Sequence, residues 1–248
     1  MNPILLDLGY VQIKWYSLLL ILAFIIGYFI ALKIAKEKKI KKTIIESYFV
    51  YIILGAIIGA RLFEVILYNP TYYLSNPIKV FYIWGGGITS HGAIAGMIIS
   101  TLIFSKIHKI KFYTLADITV VPCALGATLV RIGNFINEEL VGKTTSMPWG
   151  VNFKNYGGLR HPVQLYEAFT NFVLFIFLYS KRKLKDGILF WSFLLIYSVF
   201  RLTIEFFKYF PEHYGLLDIL GLNTAQWLSI IIIIISTIFL IKIKFHAK

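Results

Sequence analysis

The sequence has one cysteine, Cys123, and few charged residues, and both shortages limit what the chain can be. A single cysteine excludes an internal disulfide framework and a cysteine-based metal site. Charged residues make up only 15% of the 248 residues, whereas hydrophobic residues make up 58%. A soluble domain is about one quarter charged, so this composition is typical of a membrane protein.

Other signatures are missing as well. The sequence shows no metal-ligand spacing, no glycine-rich nucleotide loop and no Ser-His-Asp arrangement. We therefore expect no metal and no organic cofactor. The first ten residues have neither a basic n-region nor a small-residue cleavage site, so we also expect no removable signal peptide. Because no repeat, linker or second domain is evident, we expect one transmembrane domain over residues 1–248.

Long apolar segments are what the chain does contain. A helix needs roughly 17–25 residues to cross a hydrocarbon core of ~30 Å. We therefore predict an all-α, polytopic membrane protein with about seven transmembrane helices, at about 15–33, 44–67, 88–105, 115–132, 163–180, 187–206 and 224–242.

The positive charge orients these spans. A net charge of +13 in a soluble protein would suggest a nucleic-acid partner, but here the basic residues lie in short clusters between apolar segments. The connections after spans one, three, five and seven hold 16 lysines and arginines, against six on the opposite side. The positive-inside rule then puts the N-terminus outside and the C-terminus in the cytoplasm. Two external connections are long: an arm at about 68–87, either interfacial or a simple loop, and a loop at about 133–162.

Polar side chains from five spans fall in the outer half of the membrane under this topology. Arg131 ends the fourth span, and Tyr197, Arg201 and Glu205 share one face of the sixth at i, i+4 and i+8. The others come from the first three spans: Trp15, Tyr16, Arg61, Glu64, Tyr68 and His91. Because these residues are distant in sequence, their convergence predicts a functional site in the outer leaflet.

Structural roles compete with this functional interpretation. Arg201 with Glu205, and Arg61 with Glu64, also fit ion pairs that lock helices together. The other structural interpretations are an aromatic belt for Trp15 and Tyr16, an interfacial residue for His91, core packing for Cys123, and helix packing for Gly55, Gly59, Gly92 and Gly96.

Three arginines with few carboxylates nearby suit a phosphate, since guanidinium groups offer rigid, bidentate donors. In the outer leaflet the abundant phosphate-bearing molecule is phospholipid. The stretch from Arg131 to Gly142 adds two asparagines with neutral donors and acceptors, so we predict that it forms one wall of a site for an anionic lipid headgroup. A histidine such as His91 can take a proton from an incoming nucleophile near neutral pH.

That stretch, Arg131-Ile-Gly-Asn-Phe-Ile-Asn-Glu-Glu-Leu-Val-Gly142, closely resembles the signature of the bacterial prolipoprotein diacylglyceryl transferase family. Other family motifs match in order over nearly the whole chain: Trp15-Tyr16, Gly59-Ala60-Arg61 to Tyr68, Trp84-Gly-Gly-Gly-Ile-Thr-Ser-His91-Gly, Arg160-His161-Pro162-Val-Gln164-Leu-Tyr166-Glu167, and Tyr197 through Arg201 to Glu205. There are departures, since Val130, Ala93 and Glu138 replace glycines and Lys143 replaces a common arginine. Glu138 adds a carboxylate beside the predicted anion site.

The resemblance implies a multi-pass transferase of the bacterial cell membrane whose active site faces the outer leaflet. Such enzymes move the diacylglyceryl group of phosphatidylglycerol onto the thiol of the lipobox cysteine in a preprolipoprotein. The products are a thioether-linked lipid and glycerol-1-phosphate. The implied partners are therefore phosphatidylglycerol, preprolipoprotein signal peptides and membrane lipids, with no nucleic acid.

The hypothesis assigns roles to the site residues. Arg131 and Arg201 hold the leaving phosphate and stabilise its developing charge. His91 activates the thiol, although a thiol with pKa ~8.5 is already partly thiolate near neutral pH, so a positioning role also fits. The remaining predicted roles are hydrogen bonding to His91 by Tyr16 and Tyr197, contact with the glycerol hydroxyls by Asn134 and Asn137, orientation of the arginines by Glu139 and Glu205, and further lipid contacts from Arg61, Tyr68 and Gly142.

Two other classes of protein also use intramembrane polar groups. A polytopic lipid or anion transporter is the alternative function, with the arginines lining a translocation path. Transporters usually place such groups near the midplane and contain inverted repeats, and neither feature is found in this sequence. An intramembrane peptidase would need a catalytic dyad, which the sequence lacks.

Overall fold

A computed structural model describes residues 2–10, 12–87, 89–210 and 220–245, and these are mainly helical. In chain order the α-helices of this part are α1 (Trp15–Glu37), α2 (Lys42–Phe63), α3 (Pro70–Ser75), α4 (Ser90–His108), α5 (Phe112–Ile136), α6 (Val163–Ser180), α7 (Ile188–Glu205) and α8 (Thr224–Phe245). A turn of π-helix, Glu64–Tyr68, continues α2. A helix satisfies its backbone hydrogen bonds internally, which an apolar segment requires in lipid.

Six helices in the described part of the chain are long and apolar enough to cross a membrane. They are α1, α2 with its π-helical continuation, α5, α6, α7 and α8. The prediction of a helical, polytopic membrane protein is therefore confirmed. The predicted span at 88–105 coincides with α4, which is not one of the six, and residue 88 lies outside the described residues. A seventh crossing stays a prediction.

The described residues form two compact units, one within residues 1–34 and 117–248 and the other within residues 35–116. The first unit begins with an antiparallel pair of strands, β1 (Ile4–Asp7) and β2 (Gln12–Lys14), which leads directly into α1. A second short pair, β3 (Val151–Asn152) and β4 (Leu159–Arg160), lies in the long connection between α5 and α6.

Helix contacts in the first unit depend on a glycine and on a buried carboxylate. Pro122, inside α5, lies against Gly27 of α1, where even a Cβ atom would come within 3.3 Å of the proline ring. Asp117, near the start of α5, is fully buried and accepts hydrogen bonds from the backbone N–H groups of Gly187 and Phe190, both at 2.8 Å. It therefore caps the free N–H groups at the start of α7.

In the second unit, α2 and α4 cross at four glycines. A Cβ atom on Gly59 would overlap the backbone of Gly92, and one on Gly96 would overlap the backbone of Gly55. The predicted packing role of these glycines is thus confirmed, because only a missing side chain allows this approach.

Candidate active site

The ends of α5, α6 and α7 in the first unit are brought together by the connection that follows α5. Its backbone pairs with the segment after α7, where the Lys143 N–H donates to the Phe207 oxygen at 2.8 Å and the Tyr209 N–H donates to the Val141 oxygen at 3.1 Å. Gly142 and Lys208 face one another in an isolated antiparallel bridge. This pairing fixes Lys208 beside the predicted site residues.

Glu167, in the first turns of α6, is the centre of the site. Its two carboxylate oxygens contact three cations: Arg131 Nε at 2.8 Å, Arg201 Nη1 at 2.8 Å and Lys208 Nζ at 2.7 Å. Helices α5, α6 and α7 and the segment after α7 therefore meet at one carboxylate.

Glu205 is the second carboxylate of the site. It lies 3.2 Å from Arg201 Nε and 3.4 Å from Lys208 Nζ, and it accepts a hydrogen bond from the Asn223 amide. Arg131, Arg201, Lys208, Glu167 and Glu205 are called the charged cluster below. Its three cations and two carboxylates leave one positive charge in excess, which suits a phosphodiester anion.

The charged cluster corrects one expectation from the sequence. We expected few carboxylates near the arginines, and this is wrong for Arg131 and Arg201, which share Glu167. The carboxylate side chains are only 7% and 1% exposed, for Glu167 and Glu205, whereas those of Arg131 and Arg201 are 20% and 24% exposed. The two carboxylates are thus buried, whereas a ligand can reach the two guanidinium groups.

Lys208 is buried with its ammonium group between the two carboxylates. Burial lowers the pKa of Lys208 below the usual lysine value, although the neighbouring Glu167 acts in the opposite direction. A buried lysine with a lowered pKa loses its charge more easily than a surface lysine, so the positive excess of the charged cluster depends on pH. Charge is lost from the cluster as the pH rises.

The predicted asparagines form a hydrogen-bonded chain that starts at Arg131. Arg131 Nη1 donates to Asn134 Oδ1 at 3.1 Å, and Asn134 Nδ2 donates to Glu139 at 2.9 Å. Asn137 Nδ2 donates to the other oxygen of Glu139 at 3.2 Å. Glu139 thus acts on Arg131 through Asn134, and the Gln164 amide in turn holds the backbone oxygen of Glu139.

Two glycines of the same stretch allow close contacts. The ring of Tyr16 lies against Gly133, where an added Cβ atom would come within 2.8 Å of a ring carbon. A Cβ atom on Gly142 would overlap the His161 backbone oxygen and lie 2.9 Å from that of Phe207. Gly142, predicted as a lipid contact, therefore has a clear packing role. Tyr16 lies against the last turns of α5, next to Asn134 in the sequence position that follows Gly133.

The departure at Glu138 has a backbone explanation. Its φ angle is +59°, in the left-handed region where glycine is most stable. This accounts for the glycine that the family places there. In this chain the glutamate carboxylate accepts a hydrogen bond from the Lys154 N–H at 2.6 Å, which engages it with the loop.

Arg61, Glu64, Tyr68 and His91 belong to the second unit. The Arg61 guanidinium donates to the backbone oxygens of five residues of the arm: Lys79, Val80, Tyr82, Gly86 and Gly87. Since guanidinium has five N–H donors, Arg61 is engaged as a backbone clamp in this conformation. Its predicted contact with lipid stays a prediction.

The other predicted residues of that unit lie at its surface. Glu64 accepts a hydrogen bond from the Asn69 amide at 2.6 Å. The ion pair between Arg61 and Glu64, which the sequence also fits, is not found among the described residues. Tyr68 is 57% exposed at the end of the π-helical turn. His91 is exposed in the first turn of α4.

Sequence reasoning missed Glu167 and Lys208 as site residues. Glu167 is only part of a matched motif in the sequence, and Lys208 is only an external lysine. The sequence carried no helical signal for Lys208, because α7 ends at Glu205 and Lys208 lies in the segment that follows it. A carboxylate near the start of a membrane helix was the signal for Glu167.

The charged cluster offers the cationic hydrogen-bond donors that bind a phosphate ester. It does not resemble the ligand set of a metal site. No group of three or more potential metal ligands occurs among the described residues. Two accessible guanidinium groups and a third cation are fixed by buried carboxylates, and amide groups lie next to them. Such a site binds an anion and stabilises negative charge that develops on it.

Comparison with known proteins gives a consistent result. The family model described as "Prolipoprotein diacylglyceryl transferase" matches residues 3–242. A protein of Geobacter sulfurreducens named phosphatidylglycerol–prolipoprotein diacylglyceryl transferase is 39% identical over 222 residues, which cover 87% of this chain and 85% of that protein. A Tolumonas auensis protein of the same name is 37% identical over 235 residues, covering 92% and 90%.

A third relative, from Rickettsia typhi and with the same name, is 41% identical over 220 residues, covering 84% of this chain and 83% of that protein. The match to the family model extends over the charged cluster and the connection between α5 and α6. The chain therefore belongs to the prolipoprotein diacylglyceryl transferase family, a family of transferases.

Proposed function

We propose that this protein transfers the diacylglyceryl group of phosphatidylglycerol to the lipobox cysteine thiol of a preprolipoprotein. A bond forms between the cysteine sulfur and the glycerol carbon of the diacylglyceryl group. The bond between that carbon and the phosphate oxygen breaks, and the thiol proton is released. The products are a thioether and glycerol-1-phosphate. The observation that carries the proposal is the charged cluster, in which two accessible arginines and Lys208 face a common site around Glu167. Family membership favours this function over the lipid or anion transporter.

In this reaction the arginines act on the leaving group. As the carbon–oxygen bond breaks, negative charge grows on the phosphate, and donors that are already in place stabilise it without rearrangement. Glu167 and Glu205 hold Arg131 and Arg201 in that arrangement. Catalysis then depends on the fixed geometry of the guanidinium groups as much as on their charge.

The polar groups around the arginines bind the rest of the headgroup. Asn134 and Asn137 are proposed to contact the glycerol hydroxyls, since amides carry both donors and acceptors. Asn134 contacts Arg131 directly, and Asn137 is joined to Asn134 through Glu139. Glu139 positions both amides. The remaining proposed contacts with the lipid are those of Tyr197, Arg61 and Tyr68, and Tyr16 stays a proposed catalytic residue. Gly142 allows the close backbone packing at the site.

The proposed topology has seven spans, with the N-terminus outside and the C-terminus in the cytoplasm of a bacterial cell. Residues 1–248 then act as one transmembrane catalytic domain, with an external arm at about 68–87 and an external loop at about 133–162. The arm exposes large apolar side chains, among them Leu74, Phe81 and Trp84, which suits a segment at the membrane surface. The charged cluster would face the outer leaflet.

One experiment tests the function and the orientation together. Sealed right-side-out vesicles that contain the protein are given phosphatidylglycerol and an external lipobox peptide, and lipidated peptide is measured by mass spectrometry. We expect lipidation of the external peptide, with no other lipid or cofactor added. Activity only in inverted vesicles would contradict the orientation, and no lipidation in either preparation would contradict the function.

His91 is proposed to take the proton of the incoming thiol. We expect His91→Asn to lose transfer rate mainly below pH 8, because above that pH the thiol (pKa ~8.5) is increasingly ionised without help. The measurement is the pH profile of transfer for the wild type and the variant, with the same peptide. A loss that is equal at every pH would show that His91 only positions the substrate.

A further inference from the structure

A small cavity lies between α6 and α7, one helical turn from the charged cluster toward the middle of both helices. Glu167, Asn171, Tyr197 and Arg201 contribute to its walls. It has room for about one water-sized group. A lipid headgroup is too large for this space, whereas a single carbonyl oxygen fits it.

Asn171 is buried in this cavity and has no hydrogen-bond partner for its side chain among the residues that the structure describes. The residue is only 4% exposed. Its neighbour Thr170 differs, because the Thr170 hydroxyl donates to the backbone oxygens of Tyr166 and Glu167. Burying an amide without a partner is unfavourable, so Asn171 is set up to bond a group that enters the cavity.

The depth of the cavity matches the chemistry of a glycerophospholipid. Asn171 lies four residues after Glu167 on α6, and Tyr197 lies four residues before Arg201 on α7. Four residues of helix span roughly 6 Å. In the lipid, the ester carbonyls lie a few bonds from the phosphate toward the acyl chains. A phosphate held by Arg131 and Arg201 would therefore place an ester carbonyl near Asn171.

We infer that the Asn171 amide donates a hydrogen bond to an ester carbonyl of the diacylglyceryl donor, and so makes the enzyme prefer ester-linked over ether-linked phosphatidylglycerol. This inference rests on the proposed function. The ester is not cleaved in the reaction, so the contact persists while the glycerol carbon moves from oxygen to sulfur. Asn171 then determines lipid specificity without acting on the reacting atoms.

The test compares transfer from diester phosphatidylglycerol and from its diether analogue, which has the same headgroup and chains but no carbonyls. We expect the wild type to prefer the diester about three- to tenfold in kcat/KM, the value of one neutral hydrogen bond. In Asn171→Ala and in Asn171→Leu, whose side chain has a similar volume, we expect the diester rate to fall to the diether rate. The diether rate itself should stay at the wild-type value.

Thr203→Val is the matched control, because it removes a hydroxyl of α7 that is already bonded to the helix backbone and does not line the cavity, and it should keep the wild-type ratio. A wild type without ester preference, or Asn171 variants that lose both rates equally, would overturn the inference and leave Asn171 with a packing or water-binding role. If the wild type transfers neither lipid, the proposed function itself fails. The two failures are thus distinguishable.

Discussion

Arg131→Ala should lower diacylglyceryl transfer by about 100- to 1000-fold, the usual cost of removing one donor that stabilises charge in a transition state. The Arg131 side chain is accessible, and its guanidinium is fixed by Glu167 at 2.8 Å and by Asn134 at 3.1 Å. Alanine removes the charge and both of these contacts. The measurement is kcat/KM for lipidation of a lipobox peptide, with folding checked by size-exclusion chromatography in detergent.

Two variants control for the size of this effect. Arg131→Lys keeps a positive charge but loses the planar fork, so it should recover only part of the rate. Arg182→Ala removes an arginine from the connection between α6 and α7, where it donates to the Tyr179 backbone oxygen, and it should transfer normally. Normal transfer by a folded Arg131→Ala protein would contradict the role of the charged cluster.

Much of the site could be predicted because helical spacing and membrane depth are visible in a sequence. The positions of Tyr197, Arg201 and Glu205 predict one face of α7, and the structure places Arg201 and Glu205 3.2 Å apart. The structural interpretation of that pair as an ion pair is confirmed, and its functional interpretation stays a prediction. The pair is a contact within one helix, so it needs no knowledge of tertiary structure.

Glu167 shows where this reasoning ends. Of its three partners, Arg131 lies 36 residues before it in the chain, and Arg201 and Lys208 lie 34 and 41 residues after it. Spacing within one helix carries no information about which neighbour approaches that carboxylate. Lys208 reaches it only because the segment after α7 pairs with the backbone at Gly142.

Arg61 illustrates a second limit, which concerns backbone partners. An arginine near a membrane surface predicts a charged partner or an anion. Here it binds five carbonyl oxygens of the arm instead, and Gly86 and Gly87 have φ angles of +87° and +68°. Carbonyl directions depend on the backbone path of the arm, and no side-chain pattern in the sequence specifies that path.

Glu167→Gln should be the most destabilising single change in the charged cluster. Glutamine keeps the shape of the side chain but leaves three cations with Glu205 as the remaining carboxylate. Removing one partner of a buried ion pair costs about 3–5 kcal/mol, because the other charge stays buried without compensation. The Lys208 side chain, 7% exposed and 2.7 Å from Glu167, is the charge most affected.

The free energy of unfolding of this variant can be measured by SDS titration in mixed micelles, with Glu205→Gln as the matched control. Glu205 contacts two of the cations at 3.2 and 3.4 Å, whereas Glu167 contacts three at 2.7 to 2.8 Å, so the control should lose less stability. Adding Lys208→Met to Glu167→Gln should recover part of the loss, since it removes the uncompensated buried charge. Two results would show that the Glu167 carboxylate does not organise the three cations. One is a Glu167→Gln protein as stable as the wild type, and the other is a further full loss of stability when Lys208→Met is added.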